Sequence, residues 1–278
     1  MSHAFLPPAL PSALVLPPAA DALDGAAVAA AASRQAVILA ASVIAAPAPY
    51  LLKFETVSGT GADLQMRSLL DRQQFHDPEG DAEREGISSS AWPLFGMLWP
   101  SGRVLAHAML TYEIAGKRIL EVGCGLALAS LVLHRRGGDI TASDAHPLAG
   151  DFLLENLRLN HLPAMKYQVG NWSRANPLMA RFDLIIGSDV LYDRDQPEAL
   201  SQFIARHALP GAEVLIVDPD RGNRASFNRK MAAMGYGRVE TRVSALPGSG
   251  GNYKGRLLQY LKPVLPAALL PLLPVLTL

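Results

Sequence analysis

Arg118-Ile119-Leu120-Glu121-Val122-Gly123-Cys124-Gly125 is the stretch that decides the fold: an apolar run that stops at a glycine turn, with a helical segment over 126–134 behind it. The same order of strand, turn and helix recurs downstream. Residues 139–142 read as a second strand leading to Asp144. Residues 147–160 read as its helix, with Pro147 in the first turn, where a missing N–H costs nothing. Leu148, Phe152, Leu153 and Leu157 keep helical spacing there. Residues 166–169 and 182–187 are predicted as the third and fourth strands. In the latter, Leu184, Ile185 and Ile186 form an unbroken apolar run, as expected of a parallel strand covered on both faces. A helix over 197–207, a fifth strand over 212–218 and a helix over 225–234 follow. This alternation predicts an α/β protein with a doubly wound, mostly parallel sheet. Two last strands, 238–243 and 256–261, are joined by a Gly-rich loop at 247–251 with no helix between them, so they should close one edge as an antiparallel hairpin and bring the sheet to about seven strands. Upstream, Ser101 can cap a helix running to Tyr112, with Val104, Leu105, Ala108, Met109 and Tyr112 facing inward.

The chain has 278 residues, half of them hydrophobic, with 25 Lys+Arg, 25 Asp+Glu and a single cysteine. One cysteine excludes a disulfide framework and a cysteine-based zinc cluster, and zero net charge excludes a uniformly basic nucleic-acid binder. Residues 1–48 hold 18 Ala, 6 Pro and three charges, and read as an Ala/Pro-rich arm. Within it, 26–46 could form one apolar helix, but Ala is weakly apolar and Arg34 lies inside, so no membrane span is expected. Residues 263–278 form an apolar, Pro-rich tail. Between the two lie an N-terminal extension with its leading helix (49–116) and the α/β core (117–262). With no basic n-region for a secretion signal and no disulfide pair, the expected location is cytoplasmic.

Open α/β sheets bind ligands at the carboxyl ends of their strands, where strand order reverses. Gly123 and Gly125 let backbone approach a ligand there. Asp144 follows Gly123 by 21 residues, close to the ~20 expected of a carboxylate that holds a ribose diol, and it could equally cap the next helix. A dinucleotide would want a third glycine, but residue 128 is Leu, and no Lys or Arg lies between 119 and 134 to face a pyrophosphate. Glu121 beside the turn suits a cationic ligand instead. S-adenosylmethionine, with an ammonium group and a sulfonium, fits that loop. Asn171 and Trp172 after the third strand offer an amide and an indole to an adenine. The fourth strand runs into Ser188-Asp189-Val190-Leu191-Tyr192, where Asp189 and Tyr192 project beside the cofactor position or serve as a local cap and a packing residue. The seven histidines have no metal-binding spacing, and His146, the one closest to the glycine loop, reads as a packing or surface residue.

Trp99-Pro100-Ser101-Gly102 with Leu105-Ala106, the Glu121–Gly125 turn, Asp144, Trp172 and the Ser188–Tyr192 motif together resemble the seven-strand, class I protein-lysine methyltransferases of the methyltransferase-like group over residues 60–262. The resemblance implies a Rossmann-like fold, S-adenosylmethionine as cofactor and a lysine of a protein substrate as methyl acceptor. It implies cofactor contact at Trp99, Gly123, Cys124, Gly125, Asp144, Trp172 and Ser188, and places Asp189 and Tyr192 at the border of the substrate pocket. Asn171 departs from the acid that relatives often carry there. The motif after the fourth strand is not the Asn/Asp-Pro-Pro-Tyr of amide and base methyltransferases, and Asp218-Pro219 after the fifth strand reads as a turn.

A lysine amine, with an ordinary pKa near ~10.4, must lose its proton before it can attack. Asp189 is expected to hold the incoming ammonium and Tyr192 to orient the amine. Charge is uneven along the chain. Residues 71–85 carry six acids and two arginines, suited to a basic peptide, while residues 221–262 carry nine Lys/Arg and one acid, suited to an acidic partner or RNA. Two other readings use the same cofactor site: a methyltransferase acting on a small molecule or nucleic acid, and a cofactor-binding interaction protein without catalysis.

Overall fold

The computed structural model describes residues 49–262. The 1–48 arm, with its 26–46 apolar segment, and the 263–278 tail lie outside the described residues. Two strands, β1 (Leu52–Val57) and β2 (Leu64–Leu69), pair antiparallel as a separate hairpin. A single-turn helix α1 (Asp81–Arg84), a 3₁₀ turn (Trp92–Gly96) and helix α2 (Pro100–Ala108) lead into the main sheet. There the order is β3 (Arg118–Val122), α3 (Leu128–Arg135), β4 (Asp139–Asp144), α4 (Ala149–Leu159), β5 (Lys166–Val169), β6 (Phe182–Ser188), α5 (Gln196–His207), β7 (Ala208–Asp218), α6 (Arg224–Ala233), β8 (Gly237–Ala245) and β9 (Asn252–Leu261).

The sheet has seven strands in the order β5-β4-β3-β6-β7-β9-β8. β5 through β7 are mutually parallel, and β9 runs antiparallel to both β7 and β8. The predicted doubly wound sheet with a closing hairpin is therefore the observed one. Strand order reverses between β3 and β6, which brings the glycine turn after β3 and the Ser188–Tyr192 motif after β6 out at the same point. Alternate residues of the central strands feed opposite cores. Ile119, Leu184, Ile186, Leu215 and Val217 pack on one side with α2, α3 and α4. Leu120, Val122, Ile185, Val214 and Ile216 pack on the other with α5 and α6. Both faces are covered, which is why these strands lack polar alternation.

Several boundaries differ from the sequence expectation. Trp99, not Ser101, occupies the N-cap position of α2. Ser101 turns its hydroxyl to the Tyr253 hydroxyl on β9, 2.9 Å away. The helix ends at Ala108, and Tyr112 lies beyond it, donating to Glu213 on β7 at 2.6 Å. Pro147 sits in the turn before α4, whose N-cap is Leu148. β7 starts four residues early because its first part, interrupted by Gly211 at φ 77°, pairs irregularly with β6. The β1–β2 hairpin and the 3₁₀ turn were not anticipated. The hairpin is fastened by α4: Asn156 Oδ1 accepts from the Arg67 amide (2.7 Å) and Asn160 Oδ1 from the Gln65 amide (2.8 Å), while their side-chain amides donate back to the carbonyls of Arg67 and Gln65. Two asparagines one turn apart thus replace a third strand along the edge of β2.

Among the described residues no helix is long and apolar enough to cross a membrane, and no group of His, Cys, Asp and Glu is placed to hold a metal ion.

Candidate active site

Gly123 and Gly125 both adopt left-handed backbone, at φ 56° and 51°. A Cβ at Gly123 would stand 2.9 Å from Val190 and 3.4 Å from the Trp172 ring, and one at Gly125 would stand 2.8 Å from the Phe95 carbonyl oxygen. Both positions therefore exclude a side chain as well as favouring glycine. Between them the Cys124 amide donates to the Ser143 carbonyl (3.0 Å), carrying the β3–β4 pairing into the turn. Cys124 itself is buried, and burial raises its thiol pKa well above the ordinary value.

Asp144 joins two loops. Its Oδ2 accepts from the Gly125 amide at 2.8 Å and its Oδ1 from the His146 amide at 2.9 Å. Burial raises its carboxyl pKa, and these backbone donors pull the other way. Glu121 lies beneath the turn at 3 % exposure, accepting from both the amide and the hydroxyl of Ser130 on α3. Burial pushes its pKa up to about 7.

The 3₁₀ turn roofs this loop. Trp92 is fully buried, and the Phe95 ring stacks on His146 with centroids 3.7 Å apart and planes 15° apart. Desolvation drives the His146 pKa down to about 3, so His146 is a neutral packing residue, in agreement with its sequence reading. Trp99 donates its indole N–H to the Leu94 carbonyl (2.9 Å), fixing the ring at the start of α2.

After β5, Asn171 is engaged by its surroundings: its amide donates to the Glu85 carboxylate (3.0 Å) and its oxygen accepts from the Ser173 amide (3.1 Å). The acid at this corner is thus Glu85, brought by the α1 segment and also paired with Arg174 at 3.0 Å. After β6, Asp189 sits in the left-handed region at φ 58°, and its amide donates to the Val217 carbonyl at 2.9 Å. Its carboxylate meets Arg221, whose Nε and Nη2 lie 2.8 and 2.7 Å from Oδ1. Burial raises the Asp189 pKa, and the Arg221 guanidinium opposes that rise. Tyr192 is half exposed at 48 % on the same loop.

A cavity of about 700 Å³ is bounded by all eleven residues singled out from the sequence: Trp99, Glu121, Gly123, Cys124, Gly125, Asp144, Asn171, Trp172, Ser188, Asp189 and Tyr192. Glu85, Phe95, Asp193, Asp195 and Arg221 also line it and were not anticipated. For Arg221 a signal existed: it follows Asp218-Pro219 at the carboxyl end of β7, and that turn, closed by the Arg221 amide on Asp218 Oδ1 (2.9 Å), delivers it to the cavity.

The lysine methyltransferase family matches residues 86–231, more than half of the chain. The electron transfer flavoprotein β subunit lysine methyltransferase of Mus musculus is 28 % identical over 179 residues, 62 % of this chain and 68 % of that protein. The calmodulin-lysine N-methyltransferase of Arabidopsis thaliana is 27 % identical over 137 residues, 45 % of each. Among solved structures, a methyltransferase from Pyrococcus furiosus superposes with a TM-score of 0.48 at 17 % identity, over 58 % of this chain and 83 % of that one. The chain belongs to the lysine methyltransferase family and is an S-adenosylmethionine-dependent methyltransferase.

Proposed function

We propose that the chain methylates the ε-nitrogen of a lysine in a protein substrate, in the cleft between the carboxyl ends of β3 and β6. One observation carries the cofactor half of this reading: two carboxylates, the buried Glu121 and the partly buried Asp144, flank a turn in which added side chains at residues 123 and 125 would clash. That floor suits a ligand with ammonium, sulfonium and ribose groups, and repels a pyrophosphate. When bound, S-adenosylmethionine supplies an activated methyl group. Asp144, its carboxylate already held by two backbone amides, presents its remaining lone pairs to the ribose hydroxyls. Glu121 faces the cationic end, the Gly123–Gly125 backbone lets the ligand approach, Trp99 and Ser188 close its flank, and Trp172 with Asn171 borders the adenine.

Asp189 and Tyr192 lie on the acceptor side. The protein's contribution to an in-line displacement is to align the nitrogen and exclude water, and Tyr192, exposed at the mouth, is placed to orient the amine. Glu85, Asp193 and Asp195 line the same cavity, which favours a basic segment as substrate. The basic stretch 221–262 supports a nucleic-acid partner less, because five of its nine cations are committed internally: Arg221 to Asp189, Arg224 and Arg256 to Asp220, Lys230 to Glu198 and Arg238 to Glu240.

Tritiated S-adenosylmethionine incubated with the protein and a heat-treated cell lysate tests this. The expected result is label in a protein band that yields methyl-lysine on acid hydrolysis. Because of the Mus musculus relative, a purified electron transfer flavoprotein β subunit is the first defined substrate to try. Label confined to RNA or to metabolites overturns the lysine reading.

A further inference from the structure

We propose that Arg221 is a positioning residue that neutralises Asp189 at the acceptor end of the cleft, so that the substrate lysine enters as the neutral amine that can attack. The proposal rests on the lysine reading above. It starts from the pairing of the one carboxylate expected to receive the substrate ammonium. Two N–H groups of Arg221 converge on Oδ1 of Asp189, and the Asp189 side chain is only 10 % exposed.

Both ends of this pair are fixed by backbone. Asp189 is a non-glycine residue in left-handed conformation, anchored through its amide to Val217. Such strain at a site calls for a function. Arg221 is anchored through its amide to Asp218, and the neighbouring Asn223 donates to the carbonyls of Leu191 and Asp193 at 3.0 and 2.9 Å. The loops after β6 and β7 are thereby stitched together, and the ion pair is held where an acceptor would arrive.

The remaining charged and titratable groups around Asp189 come from several elements. Asp218 stands at the end of β7 with Arg224 of α6 acting on it, Tyr253 reaches in from β9, and Tyr192 and Asp193 belong to the Asp189 loop, with Asp144 of β4 acting on Tyr192. Apart from Arg221 and Arg224 these groups are anionic or neutral. Without Arg221 they would hold a lysine as ammonium, whose nitrogen lone pair is occupied by a proton. A guanidinium already on Asp189 cancels the attraction and disfavours a second cation. The lysine proton is then lost to water on binding. The nitrogen lone pair forms the new N–C bond, the C–S bond breaks with its electron pair passing to sulfur, and the positive charge moves from sulfur to nitrogen.

The test compares wild type with Arg221→Met, Arg221→Lys and the double variant Asp189→Asn/Arg221→Met, after calorimetry has shown that each binds S-adenosylmethionine. Label transfer into heat-treated lysate protein is followed from pH 6 to 10. With Arg221→Met the rising limb of kcat should move about one to two pH units upward, with KM reduced at the acid end. Arg221→Lys should restore the wild-type limb, and so should the double variant, which removes both charges. A second reading needs no turnover: the Asp189 carboxyl, followed by NMR in carbon-labelled protein, should titrate at least about one unit higher in Arg221→Met. Superimposable limbs, or an unmoved Asp189 titration, overturn the role of Arg221 alone. No protein label from the wild type at any pH overturns the lysine reading and this proposal with it.

Discussion

A methyl group added at residue 125 would press on the Phe95 carbonyl oxygen while forcing a non-glycine residue to φ 51°. Gly125→Ala should therefore lose at least about 2 kcal/mol of stability in urea titrations and weaken S-adenosylmethionine binding, because the obstruction is backbone and cannot rotate away. Glu121 makes a second prediction. Its folded pKa, about 7, lies above the ordinary 4.5, so the native state keeps a proton that the unfolded chain has released. The stabilising difference is present below pH 4.5 and is lost as pH rises through 7, a slope worth about 3 kcal/mol if Glu121 acted alone. Glu121→Gln should flatten the urea midpoint of the cofactor-free protein between pH 5 and 7.5. At this scale the sequence was legible where a residue's chemistry is local. The glycines, Asp144 and the Ser188–Tyr192 motif each announced a loop at a strand end. Glu85 did not, because its meaning comes from Asn171, 86 residues away, and for Arg221 the Asp218-Pro219 turn marked the loop but not the partner, Asp189, which lies 32 residues away.

Two-sided burial made β3 and β6 readable as apolar runs to within a residue of their observed ends. The more exposed β5, β8 and β9 were still placed to within four residues. The β1–β2 hairpin did not emerge, although Leu64, Met66 and Ser68 alternate inward with Gln65 and Arg67 outward. That period-two signal was diluted by the acidic stretch that follows. The hairpin's edge is satisfied by asparagine side chains rather than by another strand, which no pattern of hydrophobicity records. Asn156 is fully buried and serves both polar groups of Arg67. Asn156→Ala should leave a backbone donor unpaired and cost about 2–4 kcal/mol. Hydrogen exchange should show the Gln65 and Arg67 amides opening ahead of the β3–β6 amides. Ser101 teaches the same lesson in reverse: a residue with good capping chemistry was recruited by Tyr253, and Trp99 took the start of the helix.

Across the whole molecule, the balanced charge hides an acidic 49–220 and a basic 221–262, and the fold brings the two into contact. Arg256 bridges Asp220 and Glu240, and Lys230 reaches Glu198. What stays available to a substrate is the acidic rim of the cleft. Raising ionic strength from 50 to 300 mM should raise KM for a protein substrate several-fold with little change in kcat, and Asp193→Asn with Asp195→Asn should blunt that salt dependence; initial rates at fixed pH decide both.

The chain's single cysteine lies inside the glycine turn, buried between β3 and α3 with its thiol held protonated. Because Cys124 borders the cavity and keeps 8 % of its surface exposed, a thiol reagent meets it from the cleft. The protein thus carries a built-in reporter at its cofactor loop: the rate at which Cys124 is alkylated measures access to the cleft, with no competing thiol elsewhere in the sequence. Protection of Cys124 by S-adenosylmethionine would report filling of the cleft before any methyl group moves.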